Sequence, residues 1–185
     1  MALTGGDILL KTEGSVATLT LSNGPYTVIT WDMRQRMAER FAEIDADPQV
    51  RAVVISSAGK HFSSGGDIGT QRLARLIGLS RAKYHVMTGS RISAAEAGDR
   101  GLVAEVCPDA AVLDEAVAAL TGTLLGYSPL SLRTAKEVLD RGVDGPLYTG
   151  IELERKAYAM LRSSADFAEG VAAFIEKRKP GFQGR

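Results

Sequence analysis

Val53-Val54-Ile55-Ser56-Ser57-Ala58-Gly59-Lys60-His61-Phe62-Ser63-Ser64-Gly65-Gly66-Asp67-Ile68 is the most informative stretch of the chain. It continues an apolar run that starts at Arg51, directly after an amphipathic helix, and so reads as a buried parallel strand ending at Ser57. The eleven residues from Ala58 to Ile68 are rich in Gly and Ser and form a loop. Such a loop lies at the carboxyl end of its strand, where α/β folds place ligands. Gly65 and Gly66 let the backbone approach a ligand closely, and a free N–H there can stabilise an oxyanion. An ordinary tight turn, with Asp67 capping the next helix, accounts for the same residues, and spacing alone does not separate the two.

Upstream, Ile8–Lys11 and Val16–Leu21 are short β-rich runs split by Glu13-Gly14, the pattern of a hairpin. Asn23-Gly24-Pro25 breaks the chain. From Asp32, Met33, Met37, Phe41 and Ile44 recur at helical spacing, which predicts a helix capped by Thr30 or Asp32 and ended before Pro48. Downstream the pattern is mostly helical. Helices are expected over Thr70–Leu79, Arg81–Thr88, Ala111–Leu125, Pro129–Arg141, Leu147–Leu161 and Asp166–Lys177. Ser93-Ala94-Ala95-Glu96 has the capping-box pattern of another, and Ser128 with Pro129 makes a typical helix start. Leu102–Cys107 is the last strand candidate, with Cys107 as a buried structural thiol. Four strands give so many helices too little sheet to pack on, and the architecture reads as incomplete around Ile68-Gly69.

Composition narrows the function classes. In 185 residues, Lys plus Arg equals Asp plus Glu at 22 each, so no global field draws the chain to nucleic acid or an anionic membrane. A local basic cluster can still hold one small anion. The single cysteine excludes an internal disulfide and suits a reducing compartment. No apolar stretch reaches the length of a membrane span, and the first residues lack the pattern of a secretory signal. The expectation is a cytoplasmic protein. The run Glu176-Lys177-Arg178-Lys179-Pro180 follows an apolar helix bearing Phe167, Val171 and Phe174. It reads either as a solvated helix end that complements the macrodipole or as a phosphate contact. His61 and His85 have no partner at ligand or triad spacing, and no metal-ligand cluster is visible, so the expected metal content is none.

Together these segments resemble the crotonase (enoyl-CoA hydratase/isomerase) family. Val53 to Ile68 is similar to the family's strand and first oxyanion loop. Gly69-Thr70-Gln71-Arg72-Leu73-Ala74-Arg75-Leu76 resembles the segment that opens its second half. Thr88-Gly89-Ser90-Arg91-Ile92-Ser93-Ala94-Ala95-Glu96-Ala97, followed by Gly101-Leu102-Val103, resembles a third motif, and Phe174 to Phe182 resembles the C-terminal signature. The resemblance implies an α/β fold, a crotonase-like ββα spiral with a C-terminal helical region. The spiral core would occupy residues 1–107, interrupted at 68/69, and a helical oligomerisation and CoA-contact region residues 108–185.

It also implies acyl-CoA thioesters as substrates and homotrimers or dimers of trimers as the assembly, with no separate cofactor, nucleic acid or membrane partner. By the resemblance, Gly66 supplies an oxyanion N–H; Lys60, Ser64, Asp67 and Ile68 line the CoA cleft; and Phe174 and Lys177 meet the CoA nucleotide, most naturally that of a neighbouring subunit. The family's intervening elements, with the second oxyanion N–H and both catalytic glutamates, are absent between Ile68 and Gly69. The chain therefore admits two readings. Either a segment belongs there and the protein is an enoyl-CoA hydratase or a related isomerase or hydrolase, or the chain is a catalytically silent CoA-binding and oligomerisation remnant.

Overall fold

The structure, a computed structural model, describes residues 5–63 and 70–185. The chain divides into two compact units, residues 1–119 and 120–185. The sequence pattern places the division earlier, at 107/108.

In the first unit, β1 (Asp7–Glu13) and β2 (Val16–Ser22) form the expected hairpin, turning at Gly14, whose φ of 57° suits a residue without a Cβ. The chain then breaks at Asn23-Gly24-Pro25 and enters α1 (Trp31–Ala46). The Thr30 hydroxyl accepts the Met33 N–H and caps that helix; Asp32 lies in its first turn. β3 (Ala52–Ser57) returns parallel to β2, giving a sheet of order β1-β2-β3. One ββα turn is thereby complete. Ile8, Ala17, Leu19, Leu21, Met33 and Ile44 form the core where α1 lies on the hairpin.

β3 departs from the expectation of a strand buried on both faces. Val53 and Ile55 pair with Ala17 and Leu19, so they share the core face, yet they stay 39% and 42% exposed while Leu19 is fully buried. The helix covers β1 and β2 and stops short of β3.

The rest of this unit is helical: α2 (Thr70–Ile77), α3 (Leu79–Thr88) and α4 (Ala94–Asp99). Leu73, Ile77 and Ala82 make a second small core, joined by Ile92 and Leu102. Ser93 caps α4 by accepting the Glu96 N–H, as its motif predicts. The strand expected over Leu102–Cys107 does not form. Gly101, at φ 68°, lets the chain double back, and the Gly101 and Leu102 N–H groups close on the Gly98 and Ala97 carbonyls. This helix-ending motif turns Leu102 onto the α2–α3 core, leaving the run no sheet edge to join. Cys107 is consequently only half-buried.

Helix α5 (Ala110–Leu125) runs through the 119/120 division. The second unit continues with α6 (Pro129–Gly142), α7 (Leu147–Arg162) and α8 (Ala165–Glu176). Ser128 and Ser164 cap α6 and α8 through the Ser131 and Phe167 N–H groups. Helices α5 and α7 bury no residue completely, and Leu147, Tyr148, Phe174 and Ile175 lie open to solvent. No single helix among the described residues is long and apolar enough to cross a membrane.

Unequal covering of the core face gives a direct test. Leu19→Ala should cost roughly 2–5 kcal/mol of stability, whereas Ile55→Ala should cost about 1 kcal/mol or less, measured by urea unfolding. Equal losses would mean that β3 is covered in solution.

Candidate functional site

The loop after β3 is anchored by hydroxyls that the strand delivers to its carboxyl end. Ser57 Oγ donates to the His61 carbonyl at 3.0 Å and accepts the Gly59 N–H at 3.2 Å. With its one proton used, it accepts from Thr27 Oγ1, 2.7 Å away. The His61 N–H closes on the Pro25 carbonyl at 3.2 Å, and the Ala58 N–H on that of Leu21 at 2.9 Å. Thr27 is fully buried with φ 46°, a left-handed conformation that costs a β-branched residue energy and persists only where its surroundings enforce it. Gly59 packs so tightly that a Cβ would sit 2.5 Å from Thr27 Oγ1 and 2.7 Å from the Gly24 carbonyl. The root of the loop is therefore fixed to residues 24–27.

Beside this root, the Tyr26 and His61 rings stack at 5.5 Å with 5° between their planes. The Arg91 guanidinium lies 5.9 Å from the Tyr26 centroid. Lys60 and Phe62 point to solvent at the same root. Ser64, Gly66, Asp67 and Ile68 fall outside the described residues.

The two remaining predicted contacts, Phe174 and Lys177, belong to the second unit. Both are exposed at the end of α8, three positions apart. Lys177 has φ 53°, with its own N–H on the Phe174 carbonyl and the Arg178 N–H on the Ala173 carbonyl. The chain then folds back along α8 and is held by two carboxylates. Glu169 takes the Arg178 guanidinium in a two-pronged pair at 2.6 and 2.8 Å and accepts the Gly181 N–H at 2.6 Å. The Arg178 pair first, then the Gly181 N–H, pull the Glu169 carboxyl down to about 2. Asp166 accepts from Ser128 Oγ at 2.5 Å and from the Gln183 and Gly184 N–H groups at 2.7 and 2.9 Å. Burial pushes the Asp166 carboxyl up, but these bonds, together with the Arg185 backbone, outweigh it, so the group stays below its ordinary range. The sequence gives no sign of this clamp, because nothing local marks a pairing between residues nine or more positions apart.

Among the described residues, Glu96 and Glu152 are held in ion pairs. Buried His85 lies 2.8 Å from Ser90 Oγ through Nδ1, and 3.4 Å from Arg100 through Nε2. Glu96 is paired with Arg100 and is 3.6 Å from the same His85 nitrogen. Glu152 is paired with Arg155. Among the described residues no group of three or more His, Cys, Asp or Glu side chains could hold a metal ion.

The sequence profile of the family described as "Enoyl-CoA hydratase/isomerase" matches residues 11–70 and again 66–185. The chain belongs to the enoyl-CoA hydratase/isomerase family. It is 36% identical over 137 residues to the "Probable enoyl-CoA hydratase 2, mitochondrial" of Arabidopsis thaliana, covering 74% of this chain and 42% of that one. To the "2,3-dehydroadipyl-CoA hydratase" of Escherichia coli it is 38% identical over 117 residues, 63% of this chain and 46% of the relative. The solved structure of an enoyl-CoA hydratase subunit from Geobacillus kaustophilus superposes with a TM-score of 0.86 at 29% identity, spanning 96% of this chain and 98% of that one. The fold is that of the enoyl-CoA hydratase/isomerase family, with a sheet of three strands among the described residues. The chain spans less than half the length of these curated relatives of the family. The two profile matches overlap at residues 66–70, and the 68/69 junction lies inside that overlap.

Packing at the loop root predicts opposite outcomes for one substitution at two glycines. Gly59→Ala should destabilise the protein by about 1–3 kcal/mol through overpacking. Gly122→Ala, on α5 with nothing within 4 Å of the added Cβ, should be neutral or stabilising by up to about 1 kcal/mol. Thermal denaturation of the two variants checks this, and a neutral Gly59→Ala would show that the loop root is not fixed.

Proposed function

We propose that this chain is the acyl-CoA-binding framework of an enoyl-CoA hydratase, which adds water across the double bond of an α,β-unsaturated acyl-CoA. The observation that carries the reading is the two-part family match, whose second part begins at residue 66, beyond the end of β3 at Ser57. In this reading the Gly66 N–H meets the thioester carbonyl oxygen and stabilises the enolate-like charge that develops during addition. Lys60, exposed at the loop root, lines the CoA cleft with Ser64, Asp67 and Ile68, and Phe174 and Lys177 contact the nucleotide. The exposed apolar side chains of α7 and α8 suit burial in a homotrimer or a dimer of trimers.

The water itself must be positioned and deprotonated by carboxylates. Glu96 and Glu152 are already paired with Arg100 and Arg155, and no glutamate matches a catalytic position of the family. A segment inserted between Ile68 and Gly69 would supply both carboxylates and the second oxyanion N–H. Its strands would also cover Val53 and Ile55, which the present chain leaves open. The relatives' additional length is in keeping with such a segment. Uncovered as they are, the same two side chains also fit the second reading, a silent CoA-binding remnant.

Hydration of a four-carbon enoyl-CoA, followed by loss of the enoyl thioester chromophore, separates the readings. Gly66→Pro removes the N–H and should lower turnover by about a hundredfold or more with little change in thioester binding. Gly66→Ala keeps the donor and should be far milder. Wild-type turnover in folded Gly66→Pro protein would remove Gly66 from the site.

A further inference from the structure

Helices α3 and α4 are each followed by glycine in the left-handed region, Gly89 at φ 66° and Gly101 at φ 68°. That is the residue such a helix end favours, because a Cβ there crowds the next carbonyl. Helix α8 ends in the same conformation but places Lys177 there, at φ 53°. A strained position kept by a long cationic side chain calls for a reason outside local stability. Among the described residues no carboxylate pairs with Lys177, and its neighbour Phe174 is 85% exposed. The next residue is held in place. Arg178 is tied to Glu169 by two hydrogen bonds, and Glu169 also holds the Gly181 N–H.

We propose that Glu169 is a positioning residue, whose clamp on Arg178 and Gly181 holds Lys177 in its left-handed conformation and so presents the ammonium, beside the Phe174 ring, to the phosphates of a CoA nucleotide. This rests on the proposed role of Lys177 and Phe174 in CoA binding. The sign of the effect distinguishes positioning from plain electrostatics. Glu169 is a negative charge paired with Arg178, the residue next to the lysine, so by Coulomb interaction alone its removal should tighten binding of an anionic nucleotide. If the carboxylate positions Lys177, its removal weakens binding.

The experiment is calorimetric titration of the full chain with coenzyme A and, separately, with pantetheine, which lacks the nucleotide, alongside thermal denaturation. Glu169→Ala should lose about tenfold in coenzyme A affinity, with pantetheine unchanged. Glu169→Gln keeps the shape and one carbonyl acceptor, and should recover much of the loss. Lys177→Gly should melt no lower than the parent, since glycine suits the conformation, and yet lose about tenfold in coenzyme A affinity. Equal or tighter coenzyme A binding by Glu169→Ala and Glu169→Gln, with Lys177→Gly still weakened, overturns the positioning role and leaves the CoA reading standing. Undiminished binding by Lys177→Gly, or no binding by the parent chain, overturns the CoA reading itself.

Discussion

Parallel pairing of β2 with β3 sets Leu21 opposite Ser57, and that register controls the course of the chain beyond the strand. It delivers the Ser57 hydroxyl to the point where the backbone leaves the sheet. There the hydroxyl meets Thr27, the Gly59 N–H and the His61 carbonyl at once. Because a side chain's face alternates with each residue, a slip of one position would turn Ser57 away and bring Ser56 into its place. The course of residues 58–63 is thus set by strand register, and their root is locked by the close approach of Gly59 to residues 24 and 27.

The same pairing exposes an open face. Apolar residues of a parallel strand ordinarily lie under helices or beside further strands. Here Val53 and Ile55 carry the core face past the edge of α1 into solvent. The family profile matches in two overlapping parts whose junction, residues 66–70, follows this strand in the chain. In the second unit, Asp166 and Glu169 hold residues 178–184 back on α8 through charge-assisted bonds.

Much of this is legible in sequence where the controlling physics is local. Thr30, Ser93 and Ser128 announce their helices because a cap hydroxyl must lie within three residues of the N–H it accepts. The hairpin and the parallel strand follow from apolar runs separated by breakers. The Leu102–Cys107 reading fails for an equally physical reason, since an apolar run becomes a strand only where an edge can pair with it. The sequence signal for the turn actually made is Gly101, directly before Leu102. Motifs alone single out Lys60 in the first unit and the Phe174–Lys177 pair in the second, and both places are exposed. The Thr27–Ser57 contact spans 30 residues and the Glu169–Arg178 pair nine, and no local pattern encodes either.

Intact mass of the protein purified from its natural source, combined with its unfolding profile, tests the central claim most directly. A hydratase that carries a segment between Ile68 and Gly69 should be heavier than 19.6 kDa and should melt in one sharp transition. A mass of 19.6 kDa with an equally sharp transition and no binding of hydrophobic dye would contradict it. The chain would then be a complete folded module in which the open face of Val53 and Ile55 is tolerated.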